Sequence, residues 1–289
     1  MSAQVSIIIP AYNAEAGLEK SVRSVLSQTL QDIEVWIVND GSKDSTGAIA
    51  DALARHDQRV HVIHQMNCGC YQARLAALKR ITTPYFGFVD ADDLIEPDMY
   101  EAMVSFAKQQ NLDVVRCSYD GEKDLGIWNE DDLVLDGKDS VVRQYVIPAL
   151  IRGICGGTFV WNKLYRHQYD FSLFDPTDKD TTFEDMIFNL QFFTKVERMG
   201  FISRPLYHYI VTDSSSVSNY TEKTFHDFKE CIRVRRNMLP HYGVQNTGRF
   251  AKEWFSLNRL NGIKAVLKSR RLNIKGKILL LSKLLLLRA

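Results

Sequence analysis

Several features are absent from this 289-residue chain, and each absence removes a class of function. There is no Gly-x4-Gly-Lys-Ser/Thr run and no Gly-x-Gly-x-x-Gly, which argues against a P-loop or a nicotinamide site. No apolar run approaches the ~18 residues needed to span a bilayer. Cysteine is sparse and odd in number: Cys68, Cys70, Cys117, Cys155 and Cys231 are scattered, a pattern that fits reduced thiols better than a disulfide framework. Cys68 and Cys70 have no second Cys/His pair at zinc spacing, so a metal site there is not expected. The formal net charge is only +1, which gives no global reason for a nucleic-acid partner. The first residues carry no basic segment ahead of the apolar Val5-Ser6-Ile7-Ile8-Ile9, so a strand is expected there and not a signal peptide. A cytoplasmic protein, peripheral on the inner face of the membrane, is the expectation.

What is present is a chain 45% hydrophobic, enough to bury a large core in one domain or two. It centres on Tyr85-Phe86-Gly87-Phe88-Val89-Asp90-Ala91-Asp92-Asp93. A buried strand ends there in three carboxylates, which repel one another unless a hard divalent cation offsets them. The plain alternative is a solvated acidic turn. Around it, apolar strands at Val5–Ile9, Glu34–Asn39, Val60–His64, Tyr85–Asp90 and Asp113–Ser118 alternate with helices. These cover Leu18–Leu26, Thr46–Arg55, the alanine-rich stretch after Gly69, and Pro97–Gln110. That alternation predicts an α/β fold, with a mostly parallel sheet flanked by helices. Ligands of such sheets lie past the carboxyl ends of the strands. Tyr12 and Asn13, Asp40, Asn67 and Arg74, and Asp90, Asp92 and Asp93 all fall there, a set suited to a nucleoside diphosphate.

Four segments in order, Ile9-Pro10-Ala11-Tyr12-Asn13, Asn39-Asp40-Gly41-Ser42-Lys43-Asp44-Ser45, Asn67 to Arg74 and Phe88 to Asp93, resemble the inverting, nucleotide-sugar-dependent glycosyltransferases of family 2, which have a GT-A fold. The resemblance implies that Pro10, Tyr12, Asp40, Asn67 and Arg74 hold the nucleotide, with Tyr12 stacking on uracil and Asp40 accepting from the base N3–H. It implies that Asp92 and Asp93 touch the ribose and bind Mg²⁺ or Mn²⁺. Asn39 replaces the first acid of the usual Asp-Asp-Gly-Ser, and Leu75 stands where an Asn often follows Ala-Arg; both leave base specificity less defined. For Asp44 a helix cap is the simpler reading.

An acidic stretch from Tyr119 to Asp139, poor in periodic apolar residues, marks a boundary. The expected organisation is a nucleotide-sugar half over 1–118, an acceptor and catalytic half over 119–221, and a helical C-terminal region over 222–289. Trp161-Asn162-Lys163-Leu164-Tyr165 is similar to a Trp-x-Lys-Leu-Tyr segment of these transferases, which implies that Trp161 faces the acceptor and Lys163 meets phosphate; a core Trp is the alternative. Thr182 and Asp185 are spaced for a capping box that would put Glu184 and Asp185 at a helix N-terminus. The resemblance makes Asp185 the general base, with Glu184 orienting it or the acceptor. It also offers His208 as a further metal ligand, a packed histidine being the alternative. From Lys264 on, every charged side chain is basic among leucines and isoleucines. This suits an in-plane helix on an anionic bilayer, or a helix packed on the protein or on another copy in a homo-oligomer. The expected function is sugar transfer from a UDP-sugar to a glycan or lipid-linked acceptor in surface polysaccharide assembly. A sugar nucleotidyltransferase and a non-catalytic membrane-associated partner are the rivals.

Overall fold

The computed structural model describes residues 3–120, 132–151, 158–168, 170–171, 183–210, 233–234, 237–243, 263, 266–267 and 274–286. By contacts the chain divides into two units, one of residues 1–144, 159–180 and 195–210 and the other of residues 145–158, 181–194 and 211–289. The first begins with strand β1 (Val5–Ala11), whose side chains are buried on both faces, as an inner strand of a parallel sheet requires. Then follow α1 (Leu18–Leu26), β2 (Ile33–Asp40), α2 (Thr46–His56), β3 (Val60–Gln65), α3 (Cys70–Leu78), β4 (Tyr85–Phe88), the short β5 (Leu94–Ile95), α4 (Met99–Gln110) and β6 (Val114–Tyr119). Two expected borders shift for local reasons. Strand β4 stops at Phe88 and only the Val89 N–H carries its pairing on, to the Ile8 carbonyl at 3.1 Å. Helix α4 starts at Met99, so Pro97 lies ahead of it and not in its first turn.

Among the described residues the sheet has nine strands in the order β3-β2-β1-β4-β8-β6-β9-β5, with β7 (Leu133–Asp136) also on β9. Strand β8 is Lys163–Arg166 and β9 is Arg198–His208. β3, β2, β1, β4, β6 and β9 point one way, while β8, β7 and β5 run against their neighbours. The sheet is therefore mostly parallel by direction, but β4 and β6 do not touch as a plain βαβ series would have it. β8 lies between them, antiparallel to both. The border expected at 118 falls within β6, and β7 falls inside the acidic stretch expected to mark that boundary.

Helices cover both faces. One apolar cluster joins Val5, Ile7, Ile9, Val35 and Ile37 to Val22 and Val25 of α1, Leu53 of α2 and Met103 of α4. Strand alternation sends Ile8, Phe86 and Phe88 the other way. There the Arg74 guanidinium of α3 lies 5.5 Å over the Phe88 ring, and Phe86 stacks on Tyr165 at 5.0 Å.

The second unit contains α5's continuation, the π-helical Val142–Ile151, from residue 145 on; α5 itself is Lys138–Val141 of the first. It also holds α6 (Glu184–Phe192) and α7 (Ile274–Leu286). Within it Asn189 donates to the Thr158 carbonyl at 2.7 Å and Tyr145 stacks on Phe193 at 5.1 Å.

Candidate active site

At the carboxyl ends of β1 to β4 the loops are tied to one another by side chains. Asn13, at φ 50°, accepts the Lys43 N–H at 2.8 Å through Oδ1 and donates its own N–H to Ser42 Oγ at 3.0 Å. Asp44 accepts from the Thr46 N–H at 3.0 Å and hydroxyl at 2.6 Å, so it does begin α2, and its other oxygen takes the Glu15 N–H at 3.2 Å. Gly41 adopts φ +73°, and a Cβ there would lie 2.6 Å from the Asn67 nitrogen, so only glycine permits this approach. The loops after β1, β2 and β3 thus form one rigid rim.

Asp40 is the centre of that rim. It is buried, and its carboxylate accepts from Gln65 Nε2 at 2.7 Å and from the backbone N–H groups of Cys68 and Gly69, each at 2.8 Å. A carboxylate has about four acceptor positions. Three are filled by the chain, leaving Oδ2 able to accept one more donor. Asn39 explains its own departure from the usual acid. Its Oδ1 accepts the Ser42 N–H at 3.1 Å, which turns Nδ2 toward His64 Nδ1 at 3.0 Å, where a carboxylate would have nothing to donate. His64 Nε2 then faces Asp51 at 2.9 Å. Tyr12 is 49% exposed on the rim and Pro10 and Asn67 are half-buried beside it. Arg74 is buried, with Nη2 3.3 Å from Asp90 Oδ1.

The acidic turn after β4 divides its carboxylates by environment. Asp92 is exposed and Asp90 is half-buried. Asp93, expected to bind metal, is 1% exposed and turned inward: its oxygens accept from the Tyr207 hydroxyl at 2.7 Å and the Ile210 N–H at 2.8 Å. The same hydroxyl accepts the Asp90 N–H at 3.1 Å, so Tyr207 clamps both ends of the turn. Burial, with the Asp90 and Asp93 charges, pushes the phenol far above its ordinary range and keeps it a donor. Its ring stacks on Trp161 at 4.3 Å, and Trp161 is 2% exposed. Trp161 is thus a core residue that backs the turn, and not one that faces an acceptor.

Two more expected ligands are occupied elsewhere. Lys163 is fully buried on β8, where its ammonium donates to the Phe159 carbonyl and to Asn162 Oδ1, the latter at 3.1 Å, so it does not reach a phosphate at the rim. His208 lies between Asp120 at Nδ1 and Glu96 at Nε2, the second at 2.7 Å. Partial burial disfavours its charge, but the two carboxylates prevail and raise its pKa. With a carboxylate on each ring nitrogen, His208 turns neither nitrogen toward the acidic turn. What the turn offers a cation is Asp92 and Asp90. Among the described residues no group of three His, Cys, Asp or Glu side chains is assembled to hold a metal. This donor set therefore fits a divalent ion whose other ligands are waters and the oxygens of a bound diphosphate, the usual condition of Mg²⁺.

Burial raises the Asp93 pKa from 3.8 to about 6, with the Asp92 charge adding to it and the bonds from Ile210 and Tyr207 opposing it. The native state thus holds this proton more tightly than the unfolded chain. The resulting stabilisation is complete below pH 3.8 and is lost as pH rises through about 6. Urea unfolding of the metal-free protein between those values should show stability falling with pH, and Asp93→Asn should flatten the trend. Parallel pH curves for the two proteins would contradict the assignment.

In the second unit, Glu184 and Asp185 occupy the first turn of α6, half-exposed, where the helix dipole favours ionised carboxylates. The α6 start is at Glu184, and Thr182, the other half of the expected capping box, lies outside the described residues, as do Cys155, Cys231 and most of 222–273. Tyr207 is a positioning residue that the sequence did not single out. Alternation along Leu206-Tyr207-His208-Tyr209 marks Tyr207 and His208 as facing opposite sides, but only the pairing of β5 with β9 decides which one meets the acidic turn.

Comparison with known proteins follows the same residues. EpsH of Bacillus subtilis (strain 168) is 35% identical over 228 residues, covering 76% of this chain and 64% of that protein. The uncharacterized glycosyltransferase EpsJ of the same organism is 36% identical over 211 residues, covering 71% of this chain and 60% of its own. The chain therefore spans a little under two thirds of these relatives. Among solved structures, residues 1–349 of Staphylococcus aureus TarS, crystallised in complex with UDP-GlcNAc, superpose with a TM-score of 0.73 over 98% of this chain and 80% of that one, at 21% identity, which shows a shared GT-A fold. The family model described as Glycosyl transferase family 2 matches residues 6–184, a span that runs from the second residue of β1 through β8 and takes in the joined rim, the acidic turn and the first residue of α6. On that match, the chain belongs to glycosyl transferase family 2.

Proposed function

We infer that this protein transfers a sugar from a UDP-sugar to a hydroxyl of a glycan or lipid-linked acceptor, with inversion at the anomeric carbon, in the assembly of a cell-surface polysaccharide. The observation that carries the reading is the rim itself: four strand ends converge, with Asp40 retaining one acceptor position beside an exposed Tyr12 and an exposed Asp92. TarS, which shares the fold, was crystallised with UDP-GlcNAc, and this supports the choice of nucleotide. In this reading Tyr12 stacks on the base, Asp40 accepts the base N3–H, and Arg74 holds Asp90 in place through their ion pair. Asp92 and Asp90, together with the diphosphate, would hold Mg²⁺ or Mn²⁺, which when bound supplies charge stabilisation for the departing phosphate. Asp185 takes the proton from the acceptor hydroxyl as its oxygen bonds to the anomeric carbon and the bond to UDP breaks on the opposite face. Glu184 orients the acceptor. A single displacement of this kind inverts the configuration.

The test is release of the matching nucleoside diphosphate from a panel of UDP-, GDP- and dTDP-sugars with Mn²⁺. Release from a UDP-sugar above the others is expected. Equal slow release from all, or pyrophosphate release from a sugar phosphate and UTP, would refute the reading.

No described helix is long and apolar enough to cross a membrane. Along α7, Ile274, Ile278 and Leu279 are 78%, 63% and 49% exposed, beside Lys275 and Lys277. We assign this face to an anionic bilayer surface, each basic residue adding up to ~1 kcal/mol. Lys275→Glu/Lys277→Glu should abolish co-sedimentation with vesicles containing phosphatidylglycerol; undiminished co-sedimentation would exclude α7 as the anchor.

A further inference from the structure

Where β3 leads into α3, at the edge of the sheet, there is an open cavity of about 670 Å³ that shares Gln65 and Cys68 with the support of Asp40. Its lining includes Met66, Leu75 and Cys68, and the cations Lys79 and Arg80, both exposed. Cys68 and Cys70 are both partly exposed thiols, whereas Cys117 is buried with its sulfur on the Asn162 carbonyl. Between Cys68 and Cys70 stands Gly69, at φ +86°. The N–H groups of Cys68 and Gly69 are two of the three donors that hold Asp40.

The geometry points to Cys68 as a thiol–disulfide exchange site for anionic low-molecular-weight disulfides, with Cys70 as the resolving thiol. The Cys68 thiolate attacks one sulfur of the small disulfide; a protein mixed disulfide forms and one small thiolate leaves, taking up a proton. Cys70, as thiolate, then attacks Cys68 Sγ; the Cys68–Cys70 bond forms and the second small thiol departs. Two protein thiols are oxidised and one disulfide is reduced to two thiols. Lys79 and Arg80 favour a carboxylate-bearing disulfide over a cationic one, as charge placed around a cleft raises the encounter rate. Cys117, without access, does not compete.

A disulfide between residues two apart has consequences for the backbone. With Gly69 open at φ +86° and ψ 159°, the flanking Cα atoms are about 6–7 Å apart, at the upper end of what a disulfide spans. Closure needs Gly69 to rotate, which glycine alone does readily. Drawing Cys68 toward Cys70 pulls on the peptide that carries the Cys68 and Gly69 N–H groups held on Asp40. Such a constrained, exposed bond is of the labile kind. Oxidation therefore weakens nucleotide binding, a consequence that rests on the donor-site reading above.

The reduced protein is exposed at low salt to oxidised glutathione or to cystamine, and followed by intact mass and peptide mapping. Oxidised glutathione should modify Cys68 about tenfold faster than cystamine does, and Lys79→Gln/Arg80→Gln should erase that preference. In the unaltered chain the adduct should give way to a Cys68–Cys70 bond, while Cys70→Ser should trap it. Modification of Cys117 at the rate of Cys68, an unchanged preference in the double variant, or an adduct equally lasting with and without Cys70 would each overturn the proposal. UDP affinity should fall about tenfold on oxidation and return with dithiothreitol, the loss of one or two charge-assisted hydrogen bonds behind Asp40. Equal affinity in both redox states would overturn the link to Asp40. A reduced protein that binds no UDP would instead refute the donor-site reading and leave the cysteine chemistry intact.

Discussion

Asp185→Asn is expected to lower sugar transfer by about 10²–10⁴-fold while leaving UDP affinity within twofold of the unaltered protein, the range typical of removing a general base. The two side chains have the same shape, so α6 keeps its first turn, but a carboxamide cannot take up the proton that the acceptor hydroxyl must shed. Nucleotide affinity is the discriminating measurement, because a base acts on the acceptor and has no part in holding UDP. Steady-state transfer together with calorimetric titration of UDP decides the matter. Transfer persisting in the variant, or UDP affinity collapsing with it, would remove Asp185 from the role. Glu184→Gln should have a smaller effect, expressed in the acceptor KM.

The second large effect separates two neighbours. Asp92→Asn should reduce Mn²⁺-dependent UDP affinity by more than about tenfold, since even residues behind a metal ligand cost that much when changed. Its unfolding midpoint in urea should not move, because Asp92 is exposed. Tyr207→Phe should do the reverse. It removes the hydroxyl that joins Asp90 to Asp93 and leaves a buried carboxylate oxygen short of a donor, at about 2–3 kcal/mol of stability. If Asp92→Asn binds UDP normally with Mn²⁺ present, the cation is held elsewhere; if Tyr207→Phe is as stable as the parent, the clamp is of no consequence.

The sequence made the first four strands and the rim legible because both obey local rules. Apolar β-branched runs that end in Tyr12, Asp40 or Asp90 identify themselves as buried strands delivering polar groups to one edge, and β2, β1 and β4 are indeed parallel neighbours. What stayed hidden depends on contacts between distant segments. Asp90, Asp92 and Asp93 look equivalent as letters, and only the approach of Tyr207 and Ile210 to Asp93 takes that residue out of solvent. Lys163 reads as a phosphate contact and is buried because its strand enters the middle of the sheet. His208 reads as a ligand until Glu96 and Asp120 are seen on either side of it. Strand β7 was missed because Leu133-Val134-Leu135 is short and follows acidic residues; its pairing with β9 supplies the hydrogen bonds that its own pattern does not announce.

The insertion of β8 between β4 and β6 also bears on synthesis. A nascent chain that has emerged only as far as α4 has Phe86 and Phe88 without Tyr165 and Phe171 to cover them, and one side of β4 is an open template for a stray strand. Closing that gap means bringing residues 85–87 to residues 164–166 across a long stretch of intervening chain, a slow step for a growing polypeptide. Until β8 leaves the ribosome, the apolar face and open edge of β4 are therefore available for stray pairing.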